Sequence, residues 1–112
     1  MIITKKEPFT EKEIANLKKQ FDIYIKTVID IKKEVCSAGM DRHFEGEEIL
    51  LKQDSLQSDI WGGGVDLTTN VIDCNSFINI RPKDKNLKNE IQDPKTREKY
   101  IKLTEYFFKI IL

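Results

Sequence analysis

The sequence predicts an α+β fold: a mainly antiparallel sheet of about five strands, built as two hairpins, with three helices, the last of them long. Three observations predict it. Side chains alternate from Ile23 to Ile31, from Trp61 to Leu67 and, after a turn, from Ile72 to Ile80, which is the period of a strand. Thr10 and Asp93 each begin helix-start chemistry followed by apolar residues three and four apart. A chain of 112 residues suffices for one core but not two, so residues 1–112 read as a single domain.

In chain order, Ile2 and Ile3 begin a short strand that ends near Pro8. Thr10 has the chemistry of an N-cap, with Glu13 three residues on to complete a capping box and Phe9 and Ile14 spaced as a hydrophobic staple. Ile14, Leu17 and Phe21 continue one face, which predicts a helix over 10–21. Ile23, Ile25, Ile29 and Ile31 then alternate with Tyr24, Lys26, Asp30 and Lys32, and their β-branched side chains favour a strand. Lys32 to Glu34 turns the chain, and Val35 to Gly39 returns as the partner strand.

Asp41 is the expected N-cap of a second helix, 42–54. Gly46 within it costs about 1 kcal/mol relative to Ala, so packing has to hold it. Its expected inward stripe is Phe44 and Leu51 with Leu50 beside them, and Glu47 falls on that stripe. Trp61, Gly63, Val65 and Leu67 alternate in the next strand, Thr68 to Asn70 turns, and a long strand runs from Val71 to Arg81. Ile72, Cys74, Ser76, Ile78 and Ile80 form its core side; Asp73, Asn75, Phe77, Asn79 and Arg81 form the other. Gly62, Gly63 and Gly64 give either a bulge or a close approach to the backbone. Pro82 stops the ladder. Residues 83–92 form a loop, and Asp93-Pro94 starts the long helix 94–111, with Tyr100, Leu103, Phe107 and Ile111 down one face.

Charge narrows the function classes. Nineteen basic and nineteen acidic residues cancel, so no overall field draws the chain to nucleic acid or a membrane. Locally the balance is uneven. From Asp41 to Asp59 six acids face Arg42 and Lys52, a net of −4, whereas from Arg81 to Lys88 four bases face Asp84, a net of +3. Cys36 and Cys74 form no CxxC pair, which excludes a structural zinc site built from cysteines and leaves two core thiols. The N-terminus lacks an apolar signal region, and no run approaches the ~20 apolar residues that span a bilayer, so the expected location is cytoplasmic with no membrane partner.

Several motifs carry a resemblance. Val28-Ile29-Asp30-Ile31, Gly39, His43 with Glu47, Ser55-Leu56-Gln57-Ser58-Asp59-Ile60-Trp61-Gly62, Ser76-Phe77-Ile78-Asn79-Ile80-Arg81-Pro82 with Asn86, and Asp93-Pro94 with Arg97 follow one another in the chain. In that order they resemble a family of small prokaryotic proteins known only as a domain of unknown function. The chain departs from the family pattern at Met40 and Gly64, where that pattern has Gly and Asn. The resemblance implies no activity and no cofactor. It directs attention to His43, Glu47, Asn79, Arg81 and Asn86.

Those residues suggest chemistry. His43 and Glu47, at i and i+4 on one helix face, suit a general acid/base pair, the carboxylate orienting the imidazole. Together with Glu45 they suit part of a metal site lacking its other ligands, or else a helix cap with a solvated acid; no metal is assigned. Asn79 and Arg81, ~6.6 Å apart on an ideal strand, suit recognition of a carboxylate or phosphate, with Asn86 near them and Trp61 as a wall. The alternative is an Arg81 paired internally with Asp73, Asp59 or Glu47. Phe77 between Asn75 and Asn79 suits stacking on an RNA base. Two functional readings follow. One is a binding or catalytic site for a small anionic or phosphorylated ligand, RNA included, with His43 and Glu47 catalytic and Asn79, Arg81, Asn86 and Trp61 binding. The other is a protein-interaction module without chemistry, using a sheet edge or the apolar segment Phe107 to Leu112, a homodimer included. Whether any reaction is catalysed is not fixed by these residues.

Overall fold

The structure is a computed structural model and describes residues 1–112. Its strands are β1 (Ile3–Lys5), β2 (Tyr24–Asp30), β3 (Val35–Ala38), β4 (Ile60–Asp66) and β5 (Ile72–Asp73). Its helices are α1 (Glu11–Gln20), α2 (His43–Lys52) and α3 (Pro94–Phe107). The strands form one sheet in the order β1-β3-β2-β4-β5, every neighbouring pair antiparallel. The α+β class, the five strands in two hairpins and the three helices all agree with expectation.

Local chemistry accounts for the helix ends. The Thr10 hydroxyl accepts the Glu13 N–H, and the Glu13 carboxylate accepts the Thr10 N–H. Phe9 and Ile14 are buried beside this box. Asp93 accepts the Thr96 N–H, with Pro94 at the first helical position. At the β2–β3 turn, fully buried Asp30 accepts the N–H groups of Lys32 and Lys33 on one oxygen and the Ser55 hydroxyl on the other.

The sheet is apolar on both faces. Ile25 and Ile29 of β2, Cys36 and Ala38 of β3, and Trp61 and Val65 of β4 face α1 and α3, which contribute Ile14, Leu17, Tyr100, Leu103 and Phe107. On the opposite face Val28, Val35 and Ile60 meet Met40 and Leu50 beneath α2. The inward stripe of α2 is therefore not Phe44 and Leu51, which are exposed. It is His43, Gly46, Glu47 and Leu50, spaced i, i+3, i+4 and i+7. Gly46 lets the helix lie close: a Cβ there would stand 2.6 Å from the Met40 methyl and 2.9 Å from Val28 Cγ2. The N-cap is Arg42 rather than Asp41, and Glu45 reaches back to its N–H.

The largest correction concerns Val71 to Arg81. Only Ile72–Asp73 pairs as a strand, opposite Gly64 and Val65. Past Asn75, which bridges to Glu90, the Ser76 hydroxyl accepts the Ile78 N–H and winds Phe77–Asn79 into a single 3-10 turn. A second such turn, Pro82–Asp84, follows at once. Side chain-to-backbone bonds by Ser and Asn have displaced the ladder that alternation alone would favour. The two predicted faces therefore do not exist: Ile80 is exposed, whereas Asn79 and Arg81 are buried.

The long helix ends at Phe107, where Phe108 donates to the Thr104 carbonyl and a turn completes the chain. Phe107 and Phe108 are fully buried, so the apolar segment expected to present a partner surface belongs at those positions to the core.

Candidate functional site

Beyond the two residues paired with β5, the outer edge of β4 is completed by side chains. The Asn79 amide accepts the Gly62 N–H at 2.8 Å and donates to the Gly62 carbonyl at 2.9 Å, as a neighbouring strand would. It also donates to the carbonyls of Cys74 and Asn89. Arg81 Nη1 donates to the Ile60 carbonyl at 2.7 Å and to the Ile78 carbonyl. Asn86, bridged to Arg81 through its backbone, donates its amide to the carbonyls of Asn79, Lys88 and Glu90 and accepts the Gln92 N–H. These amides hold loops together, and neither has a free donor or acceptor facing solvent.

Arg81 is the hub of this cluster and only 5% exposed. Its guanidinium lies over the Trp61 ring, 4.2 Å from the centroid. Nε stands 3.0 Å from Asp84 Oδ2, and Nη1 stands 4.0 Å from Glu47 Oε2. Burial pulls the guanidinium below the usual arginine range, and Asp84 and Glu47 pull it back, so it remains a cation. The internal pairing considered for Arg81 thus occurs, with Asp84 as the nearer carboxylate. The cluster keeps buried atoms without hydrogen-bond partners: Arg81 Nε and Nη2, Trp61 Nε1, Glu47 Oε2 and Asp84 Oδ2.

His43 faces elsewhere. It shares the inward stripe of α2 with Glu47, but no hydrogen bond joins the two. Its Nε2 lies 2.7 Å from the Gly63 carbonyl, which fixes the proton on Nε2 and leaves Nδ1 as a free acceptor. Burial lowers its pKa below 6.5; Lys26 lowers it further, while the Gly63 carbonyl and Asp73 act in the opposite sense. His43 is therefore a neutral imidazole at neutral pH. Gly62 makes room for it, since a Cβ there would stand 3.1 Å from His43 Cδ2 and 2.7 Å from Ser76 Cβ. Pairing of β4 with β2 is one-to-one through all three glycines, so they serve close approach and not a bulge.

A cleft of about 440 Å³ opens beside His43, within the range of small-ligand sites. Lys26, Arg42, Phe44, Ser76, Phe77 and Ile78 line it, with Asp41 the one acid. It exists because α2 covers the sheet at Val28 but leaves the Tyr24 and Lys26 end open. Lys26 is half-buried on the central strand and forms no ion pair. Next to this cleft lies a hollow of about 280 Å³ that shares Lys26, His43, Ser76 and Phe77 and adds Tyr24, Asn75 and Asn89. On the rim the Tyr24 hydroxyl donates to Asp73, which with burial drives the phenol pKa far up. Cys36 and Cys74 are free and buried, and burial pushes the Cys74 thiol up to about 11, so it stays protonated.

Of the site residues named from sequence, Glu47, Arg81 and Trp61 thus meet in one cluster, with Asn79 and Asn86 bonding the loops around it. His43 stands apart at the cleft. Lys26, Arg42 and Ser76 were missed. Lys26 carried a readable signal, a cation between Ile25 and Thr27 in a strand, but alternation marks such a residue only as polar. No group of three or more His, Cys, Asp or Glu side chains is placed to hold a metal ion, and no helix is long and apolar enough to cross a membrane.

The profile of a family described as "Protein of unknown function (DUF5674)" matches residues 1–107, and the chain belongs to that family. No curated protein and no solved structure matches the chain.

Proposed function

We propose that this protein binds a small anionic ligand, phosphorylated or carboxylated, in the cleft between the start of α2 and the Ser76–Ile78 segment. The observation that carries the reading is Lys26: a half-buried lysine on the central strand, lining a cleft of ligand size and without a carboxylate partner. A lysine in such a place is stabilised by whatever anion enters. Arg42, which lines the same cleft, adds a second cation, and His43 offers a neutral acceptor, Nδ1. In this reading the anion expected at Asn79 and Arg81 sits instead at Lys26 and Arg42. Asn79, Arg81, Asn86, Trp61 and Glu47 position the wall that carries Ser76 and Phe77. Any proton transfer in the cleft uses His43 Nδ1, since Glu47 makes no hydrogen bond to His43 and is turned to Arg81.

Titration calorimetry with inorganic phosphate and with ribose 5-phosphate tests the proposal. Lys26→Gln is expected to weaken binding at least about tenfold, and 0.5 M salt to weaken it in the wild type. Lys85→Gln, on the Arg81 side, is expected to leave binding unchanged. Loss of binding in Lys85→Gln but not in Lys26→Gln would return the anion to Arg81. Absence of binding to any anion in the wild type would remove the reading.

A further inference from the structure

We infer that the ligand of this cleft is a nucleotide, its base stacked on Phe77; the inference rests on the anion site proposed at Lys26. Phe77 is 81% exposed although it is a large apolar side chain. The backbone turn that carries it is firmly held. Ser76 caps the turn that carries it, the Ser76 N–H donates to the Asn89 carbonyl, and the buried Asn79 amide anchors the turn's other end. An aromatic face presented to solvent on a fixed turn suits stacking on a planar ring, as aromatic side chains stack the bases of single-stranded nucleic acid beside cationic groups.

The surroundings match the two ends of a nucleotide. Phe77 borders both depressions. On one side the exposed side-chain amides of Asn75 and Asn89 have no partner in the protein and offer the paired donor and acceptor that read a base edge. On the other side stands Arg42, which with Lys26, bordering both depressions, suits phosphate, and Phe44, itself 47% exposed, is a second apolar wall. An aliphatic anion would satisfy the cations but leave Phe77 and both amides without a role. Free mononucleotides and nucleotides within single-stranded RNA share this chemistry, and the zero net charge of the chain favours a short contact over a long electrostatic track.

The experiment compares AMP, GMP, CMP and UMP, five-nucleotide RNA homopolymers and ribose 5-phosphate on wild type, Phe77→Ala, Phe77→Trp and Lys26→Gln. Phe77 is exposed, so its variants keep the fold, which circular dichroism checks. Expected are nucleotide binding at least tenfold tighter than ribose 5-phosphate, a loss of about tenfold or more in Phe77→Ala, and recovery with quenched indole fluorescence in Phe77→Trp. Oligomers binding no more tightly than mononucleotides would assign a free nucleotide, and tighter oligomers would assign RNA. If ribose 5-phosphate binds as well as the nucleotides and Phe77→Ala is silent while Lys26→Gln is not, the nucleobase is overturned and the anion site survives. If Lys26→Gln is silent as well, both fall.

Discussion

The segment from Ser76 to Asn89 contributes to two polar regions that behave in opposite ways. Around Arg81 each charge faces another charge inside the protein, even where its buried atoms lack a hydrogen-bond partner, and Asn79 and Asn86 give their amides to backbone groups. Around His43 the reverse holds: Lys26 has no carboxylate, Nδ1 has no donor, and Phe77 has no neighbour covering it. The chemistry that looks more functional on paper, an arginine with an asparagine beside it, is the scaffold. The plainer set of a lysine, a histidine and an exposed aromatic ring is what remains free to meet a ligand. A polar residue's chemical capacity matters less than whether the fold has already used it.

Three changes test this contrast, the largest first. Asn79→Ala would strand the Gly62 N–H and up to three carbonyls, each worth about 1–3 kcal/mol when buried, so a loss of about 4 kcal/mol in urea unfolding is expected. A loss below about 1 kcal/mol would mean that Asn79 is not the scaffold it resembles. Arg81→Met keeps the stem packed on Trp61 but leaves Glu47 and Asp84 without their cation, at an expected cost of about 3 kcal/mol. Adding Glu47→Leu should recover part of that cost, because one fewer buried charge is then stranded. Purely additive losses would show that Arg81 and Glu47 are uncoupled.

The smallest effect is on pH dependence. His43 has a folded pKa below that of the unfolded chain, 6.5. Above that value both states are neutral and His43 adds no slope. As the pH falls through 6.5 the unfolded chain takes up the proton first, so the folded state loses stability until its own lower pKa is passed. Between pH 7.5 and 5 the wild type should therefore lose stability relative to His43→Gln, whose amide still donates to Gly63. Parallel pH profiles for the two proteins would place His43 in an open, unperturbed setting.

The sequence was most legible where a signal is local. The Thr10–Glu13 box, Asp93-Pro94 and the alternation through Ile25 and Ile29 each act within a few residues, and each produced the expected element. It misled where two local rules competed. Ile72 to Ile80 alternates as a strand does, yet Ser76 and Asn79 bond the backbone and win, because β4 offers Gly62 to the amide some seventeen residues away. The stripe of α2 was misread because apolar side chains were assigned inward, whereas Gly46 permits a close approach that turns Phe44 out and His43 in. The separation of His43 from Arg81 depends on which carbonyl and which carboxylate each finds across the sheet, and nothing within either motif specifies that.

The amide that stands in for a strand has one more consequence. β5 pairs with only Gly64 and Val65, so the Ile60–Gly63 stretch of β4 is a sheet edge that lacks a neighbouring strand. An unpaired apolar edge is a template on which another molecule can add its own strand. Asn79 and Arg81 occupy those backbone groups with side chains, which cannot be extended by a further strand. The turn at Phe77 thus covers this stretch of the β4 edge against strand addition, in addition to holding the wall of the cleft.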